Sequence, residues 1–244
     1  MKILLIGCGN IGGALLQVCN ENIVVVQPSL SKANDFKQYR FVDNINKVDF
    51  EPDVIFVAVK PQKINEIMPE LLKFKNSIIV SFLAGTPISK YHEFKKVVRI
   101  MPNVAIKVGK SVNLAMSNDE SLCEGIEKLL LSTGDIFWVK SEQELDYLML
   151  ISGCGPAYIY LLAELLVKES GKYLSENMAK NLVYKLFDGS IALMNDSKEY
   201  QQLKNSVVSK GGVTEAILNI LQPELENTLK NAFKNGEKRT EELK

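Results

Sequence analysis

Gly7-Cys8-Gly9-Asn10-Ile11-Gly12 carries the first spacing in the chain that implies chemistry. Three glycines in the order GxGxxG directly follow the apolar run Ile3–Ile6 and precede a helical pattern. In that setting the first glycine allows a tight turn, the second lets a pyrophosphate approach the backbone, and the third lets helix and strand pack closely. The helix start offers unpaired N–H groups and partial positive charge. Gly7, Gly9, Asn10, Ile11 and Gly12 are therefore candidate dinucleotide contacts. The second apolar run ends in Val26-Gln27-Pro28-Ser29-Leu30-Ser31-Lys32. An acid at that strand end would accept from the ribose 2′-hydroxyl of NAD. None stands there, so a 2′-phosphate is not repelled, and Ser29, Ser31 and Lys32 are candidates to bind it, with plain loop residues as the other reading. This favours NADP, with NAD as the alternative. A third run ends in Ala58-Val59-Lys60-Pro61-Gln62, a loop that faces the cofactor if ligands sit beyond the carboxyl ends of a parallel sheet. Lys60 has two readings, a functional cation or a solvated side chain before a helix.

The elements that position these loops alternate. Short apolar runs predict strands at Ile3–Ile6, Ile23–Val26, Val54–Val57, Ile78–Val80 and Val97–Ile100, with two more at Val112–Met116 and Asp135–Val139. Helical patterns fall at Asn10–Asn20, Pro61–Phe74 and Asp119–Leu131. This order predicts an α/β fold, a parallel sheet of Rossmann type with helices on both faces. From about Ser141 the strand signals stop. Helices are predicted at Glu142–Leu150, Pro156–Ser170, Ser175–Met194, with Ser175 as cap, and Pro223–Leu243. The boundary is placed near residue 140, giving a dinucleotide-binding domain at 1–140 and a helical domain at 141–244.

Composition narrows the function classes. Acidic and basic residues balance at 29 each, which gives no broad electrostatic reason to bind nucleic acid or anionic lipid. The mixed charges from Lys230 onward suit a solvated helix face. Cys8, Cys19, Cys123 and Cys154 form no CxxC pair, and His92 is the single histidine, so no metal site is expected. The N-terminal run is too short for a signal peptide, and the apolar stretch Ala157–Val167 is too short to span a membrane and contains Glu164. The expected location is the cytoplasm, with reduced thiols.

Four further segments carry a family resemblance. Ala58-Val59-Lys60-Pro61-Gln62 is similar to the AVKPQ loop of pyrroline-5-carboxylate reductases, and Arg99-Ile100-Met101-Pro102-Asn103 to their RxMPN segment. Ser152-Gly153-Cys154-Gly155-Pro156-Ala157-Tyr158 resembles their SGSGPAY motif, and Ser209-Lys210-Gly211-Gly212-Val213-Thr214 their SPGGTT loop. With the N-terminal glycines, the matches span nearly the whole chain in family order. The chain departs from the family at Val104-Ala105 (usually Thr-Pro), Cys154 (Ser), Lys210 (Pro) and Val213 (Thr).

The resemblance implies reduction of the cyclic imine 1-pyrroline-5-carboxylate to proline by NAD(P)H. It also implies a helical domain that interlocks with a second copy as a homodimer or an oligomer of dimers, and a substrate site near that interface. It assigns Asn103 to the cofactor side. It assigns the substrate carboxylate to Ser209, Gly211 and Gly212, where successive N–H groups of a glycine turn form an anion-binding nest. Thr214 becomes the candidate catalytic residue as a partner for the ring nitrogen, with a helix-capping hydroxyl as the other reading. A protonated imine is already electrophilic and becomes a neutral amine, so the site need not supply an acid as ketone reduction does. His92 lies outside every motif, which disfavours a His-based hydroxyacid dehydrogenase. A β-hydroxyacid dehydrogenase of similar layout is one alternative, although Pro156–Val167 lacks the early lysine those enzymes carry. A non-catalytic dinucleotide-binding protein is the other, supported only by the departures.

Overall fold

In the computed structural model, residues 1–19, 21–197 and 199–242 are described. The strands are β1 (Ile3–Ile6), β2 (Ile23–Val26), β3 (Arg40–Val42), β4 (Val54–Val57), β5 (Ile78–Ser81), β6 (Val97–Met101), β7 (Ser111–Ser117) and β8 (Gly134–Trp138). They form one sheet in the order β3-β2-β1-β4-β5-β6-β7-β8. The runs were uninterrupted because both faces of the sheet are covered. Ile3 and Leu5 of β1 enter one core with Val54 and Phe56 of β4, while Leu4 and Ile6 enter the other with Ile55 and Val57. A strand buried on both faces has no polar alternation to show.

All neighbours pair in parallel except β6 and β7, which are antiparallel. Residues 102–110 are all that join these two strands, too few for a parallel crossover, which needs a dozen or more. The chain turns back through a 3-10 segment, Val104–Val108, that ends on Gly109 at φ 68°.

The helices of this part are α1 (Asn10–Val18), α2 (Ile64–Leu71), α3 (Cys123–Leu130) and α4 (Glu142–Ser152). The predicted end of the first helix, Asn20, lies outside the described residues. The stretch predicted as one helix from Pro61 is instead a 3-10 turn at Pro61–Lys63, then α2, then a 3-10 turn at Leu72–Phe74. Similarly, Asp119 caps a 3-10 turn ahead of α3, accepting from Ser121 N at 3.0 Å. Edge strand β3 was not predicted, since three residues are too few to show a period. Ser141 caps α4 by accepting from Glu144 N at 3.1 Å, while Glu144 reaches back to Lys140 N at 2.8 Å, a reciprocal closure of the helix start.

Two compact units emerge from the contacts. One holds Met1–Gly155 and the described chain end from Arg239, and the other Pro156–Lys238. The change of character near residue 140 thus precedes the division of contacts. Helix α4 stays with the sheet, where its Leu145 is buried with Met101 and Leu114.

The second unit consists of α5 (Gly155–Ser170), α6 (Glu176–Asp196), α7 (Tyr200–Ser206) and most of α8 (Val213–Glu242). Ser175 occupies the N-cap position of α6, but its side chain makes no cap bond. Helix α7 was not predicted. Helix α8 begins ten residues before the predicted start and runs through Pro223. The predicted end, Leu243, lies outside the described residues. This unit has little core of its own: α6 buries only Ala179 and Val183. Tyr160, Leu161, Leu165, Leu182, Ile191, Ile217 and Ile220 are among many large apolar side chains left exposed. The helical run Glu142–Ser170 reaches a mean hydropathy of 1.6 over 18 residues. By length and composition alone that run passes as a membrane span, a test that packed core helices pass as well.

Candidate functional site

The strand order reverses at β1, so the loops that leave β1 and β4 diverge at their carboxyl ends, where doubly wound sheets bind ligands. Here the glycine turn meets the loop that begins at Ala58. Ala58 N donates to Ile6 O at 2.8 Å. Gly7 has φ 96°, and a Cβ there would lie 2.7 Å from Ala58 O. A Cβ on Gly12 would lie 2.1 Å from Gly7 O, so this glycine sets the approach of α1 to the turn. Gly9 differs from both: nothing lies within 4 Å of its Cβ position. Two glycines are needed for the protein's own packing, and the third faces open space at the start of α1.

That space is a cleft of about 850 Å³. Gly7, Gly9, Asn10, Ile11, Lys32, Ala58, Val59, Lys60 and Pro61 all line it. The open Gly9 position, the first-turn N–H groups of α1 and the volume together fit a dinucleotide. Lys32 and Lys60 have no ion-pair partner among the described residues, whereas Lys63 pairs with Glu66 at 2.8 Å. Asp43, on the same wall, bonds Lys47 at 2.8 Å, and that bond holds its carboxyl below the usual range. Burial pushes the Cys8 thiol up, with Lys32 pulling it down and Asp35 pushing it further up.

Ser29 and Ser31 share a hydrogen bond at 2.9 Å and are exposed, outside the cleft lining. Gln27, which was read only as the absence of an acid, has a structural bond. Its Oε1 accepts from Cys8 N at 2.8 Å. Asn103 is buried and engaged on both ends: Oδ1 accepts from Ala105 N at 2.9 Å, and Nδ2 donates to Ser152 O at 3.0 Å. It joins the Met101-Pro102-Asn103 segment to the start of Ser152-Gly153-Cys154-Gly155.

Arg99 opens the Arg99–Asn103 segment, and its side chain points to a structural role. It is 2 % exposed and ion-pairs with Asp146 at 2.8 Å and Glu142 at 3.3 Å, both on α4. Glu142 also accepts from Ile88 N at 2.7 Å. Next to this cluster Tyr91 and Ser81 share a hydrogen bond at 2.8 Å. Burial pushes the Tyr91 phenol up to about 12, with Ser81 and Arg99 pulling the other way. Nothing in sequence spacing links Arg99 to residues more than forty positions away, so this network was not legible.

The second glycine turn lies in the helical unit. Gly212 N donates to Ser209 O at 2.9 Å, and Gly211 has φ 72°. A Cβ on Gly212 would lie 2.2 Å from Ser209 Oγ. The turn feeds the first turn of α8, where Thr214 is half-buried. Gly211 N already donates to a carboxylate, Glu215 Oε2, at 2.6 Å. Both glycine N–H groups are thus engaged within the chain, that of Gly211 by Glu215 and that of Gly212 by Ser209 O.

Residues 142–243 match the family model described as pyrroline-5-carboxylate reductase dimerisation, and residues 2–85 match NADP oxidoreductase coenzyme F420-dependent. A pyrroline-5-carboxylate reductase of Corynebacterium melassecola is 31% identical, over 95% of this chain and 93% of its own length. One from Aquifex aeolicus is 30% identical, over 88% of this chain and 86% of its own. The solved structure of Plasmodium falciparum pyrroline carboxylate reductase with NADP bound superposes with a TM-score of 0.87 at 28% identity, covering 100% of this chain and 98% of that one.

Proposed function

The chain belongs to the pyrroline-5-carboxylate reductase family, and on that premise we infer that it reduces 1-pyrroline-5-carboxylate to L-proline with hydride from NADPH. The observation that carries this is the coincidence of full-length similarity with a cleft whose open Gly9 position leaves room for the cofactor's pyrophosphate. Steady-state assay of the purified chain with pyrroline-5-carboxylate tests it, and no substrate-dependent NADPH consumption would reject it.

When bound, the cofactor supplies the hydride; the chain's residues bind, orient and polarise. The α1 N-terminus and the backbone at Gly9 take the pyrophosphate. Lys32 takes the 2′-phosphate, with Ser29 and Ser31 nearby in sequence. The loop Ala58–Pro61 borders the nicotinamide side. Residues 1–140 serve the dinucleotide, and residues 141–244 serve the substrate and the second copy. We assign the substrate carboxylate to the turn of Ser209, Gly211 and Gly212, where it would take the place of the Glu215 carboxylate on Gly211 N. Thr214 lies two residues beyond Gly212, and its Oγ1 is assigned to the ring nitrogen of the imine.

Thr214→Ala is expected to lower kcat/KM for the imine about tenfold, the upper part of one neutral hydrogen bond, with NADPH affinity unchanged. Gly212→Ala should raise KM and leave NADPH binding intact, since the added methyl collides with Ser209 rather than with the cleft. Unchanged kinetics in both variants would move the carboxylate elsewhere.

The exposed apolar faces of α5, α6 and α8 call for a covering surface, and a second copy is the one that the dimerisation match supports. Light scattering is expected to give at least twice the 27.3 kDa chain mass; an active monomer would contradict this. No nucleic-acid or membrane partner is proposed, and the enzyme is assigned to the cytoplasm.

A further inference from the structure

The first turn of α8 carries one acid, Glu215, which reaches back over the helix start. Its Oε2 accepts from Gly211 N at 2.6 Å. Gly212 N is taken by Ser209 O at 2.9 Å, so Gly211 N is the glycine N–H of this turn that meets an anion. Gly211 has φ 72°, and nothing lies within 4 Å of its Cβ position, so the space beside that N–H is open. Among the described residues Glu215 has no ion-pair partner, whereas Glu66, Glu124 and Glu176 each pair with a lysine. The backbone N–H is what holds the Glu215 carboxylate in place.

We propose that Glu215 is a built-in competitor for the substrate carboxylate: it occupies Gly211 N in the free chain, and the imine's carboxylate binds by displacing it. The inference rests on the assignment of that carboxylate to this turn. Two carboxylates at one donor repel each other, so the two anions exclude one another. A site closed by its own group binds in proportion to the fraction of time it stands open, which raises every apparent constant for a carboxylate ligand by one factor. Substrate and product carry the same carboxylate. Both are therefore held more loosely by that factor, and Glu215 returns as proline leaves. The same bond fastens the start of α8. Glu215 thus closes the turn when it is empty and yields it when it is filled.

The test compares wild type, Glu215→Ala and Glu215→Gln in steady-state kinetics at saturating NADPH, with thermal unfolding alongside. Pyrroline-5-carboxylate is the substrate and L-proline the product inhibitor. The reference is 1-pyrroline, the same ring without the carboxylate. Relative to the KM for 1-pyrroline, Glu215→Ala is expected to lower the KM for pyrroline-5-carboxylate and the inhibition constant of proline together, roughly three- to tenfold, without raising kcat. Its melting midpoint should fall slightly, because the helix start loses an acceptor. Glu215→Gln keeps a neutral acceptor there and the parental fold. It should shift both constants the same way by a smaller factor, since a neutral bond is the weaker competitor. A purely structural Glu215 predicts the opposite sign, because a loosened turn binds the carboxylate worse. A raised or unchanged KM in both variants, beside an active wild type, overturns the inference and leaves the reductase assignment standing. A wild type that does not turn over the imine overturns both.

Discussion

A Gly9→Val protein is expected to fold like the parent and to bind NADPH at least about a hundredfold more weakly. The structure separates the three glycines of the turn. Nothing lies within 4 Å of a Cβ on Gly9, so the valine has room in the free protein. The same space is where the pyrophosphate must lie, against the start of α1. Pushing it away loses two or more hydrogen bonds to a charged group at about 1.5 kcal/mol or more each, which sets the hundredfold scale. Gly12→Ala provides the contrast. Its methyl would lie 2.1 Å from Gly7 O, so α1 must move off the strand and the loss should appear first in stability. Calorimetric NADPH titration beside thermal unfolding of both variants distinguishes these outcomes. Parental affinity in a folded Gly9→Val protein would contradict the assignment.

Arg99→Leu is expected to lower stability by about 3–5 kcal/mol. The guanidinium is 2 % exposed and sits between Asp146, 7 % exposed, and Glu142, 33 % exposed. Removing it takes the guanidinium charge away from the buried Asp146 carboxylate, which costs more than the intact pair contributes. For a chain of this size the midpoint of thermal unfolding should fall by on the order of 10 °C. Arg99→Leu with Asp146→Leu should recover much of the loss, because the fully buried charge is then gone and only the partly solvated Glu142 remains. Glu142→Gln should cost far less, since Glu142 is partly solvated. A single Arg99→Leu change of under about 1 kcal/mol would show that the ion cluster does not hold α4 to the sheet.

The legible part of the fold was the part in which a residue's role is set by its immediate neighbours. The apolar runs of β1, β2 and β4 announced a sheet covered on both faces, and GxGxxG announced the turn between β1 and α1. Strand β3 stayed hidden, because Arg40-Phe41-Val42 has no length in which to express a period and is held by pairing with β2. The start of α8 was misplaced because a proline reads as a helix beginning. Pro223 instead lies inside a helix already begun at Val213, with the neighbouring turns carrying the backbone across it. Ser175 stood at the right position and does not cap, since position alone does not aim a hydroxyl.

The candidate site divides in the same way. Gly7, Gly9, Asn10, Ile11, Lys32 and Ala58–Pro61 come together because strand ends of one sheet must. Ser29 and Ser31 fall outside the cleft lining, and Asn103 is spent on the backbone of Ala105 and Ser152. The bonds of Gln27 to Cys8, Arg99 to Asp146, and Asn103 to Ser152 all join distant segments, and no local pattern encodes such pairs.

The most direct test of the central claim is isotope transfer. The purified chain is supplied with pyrroline-5-carboxylate and NADPH deuterated at the transferable position of the nicotinamide, and the product is analysed by mass spectrometry. The expected result is L-proline carrying one deuterium on the former imine carbon, formed in step with NADP+. Proline without the label, or no proline while NADPH binds normally, would contradict the assignment of this chain as a pyrroline-5-carboxylate reductase.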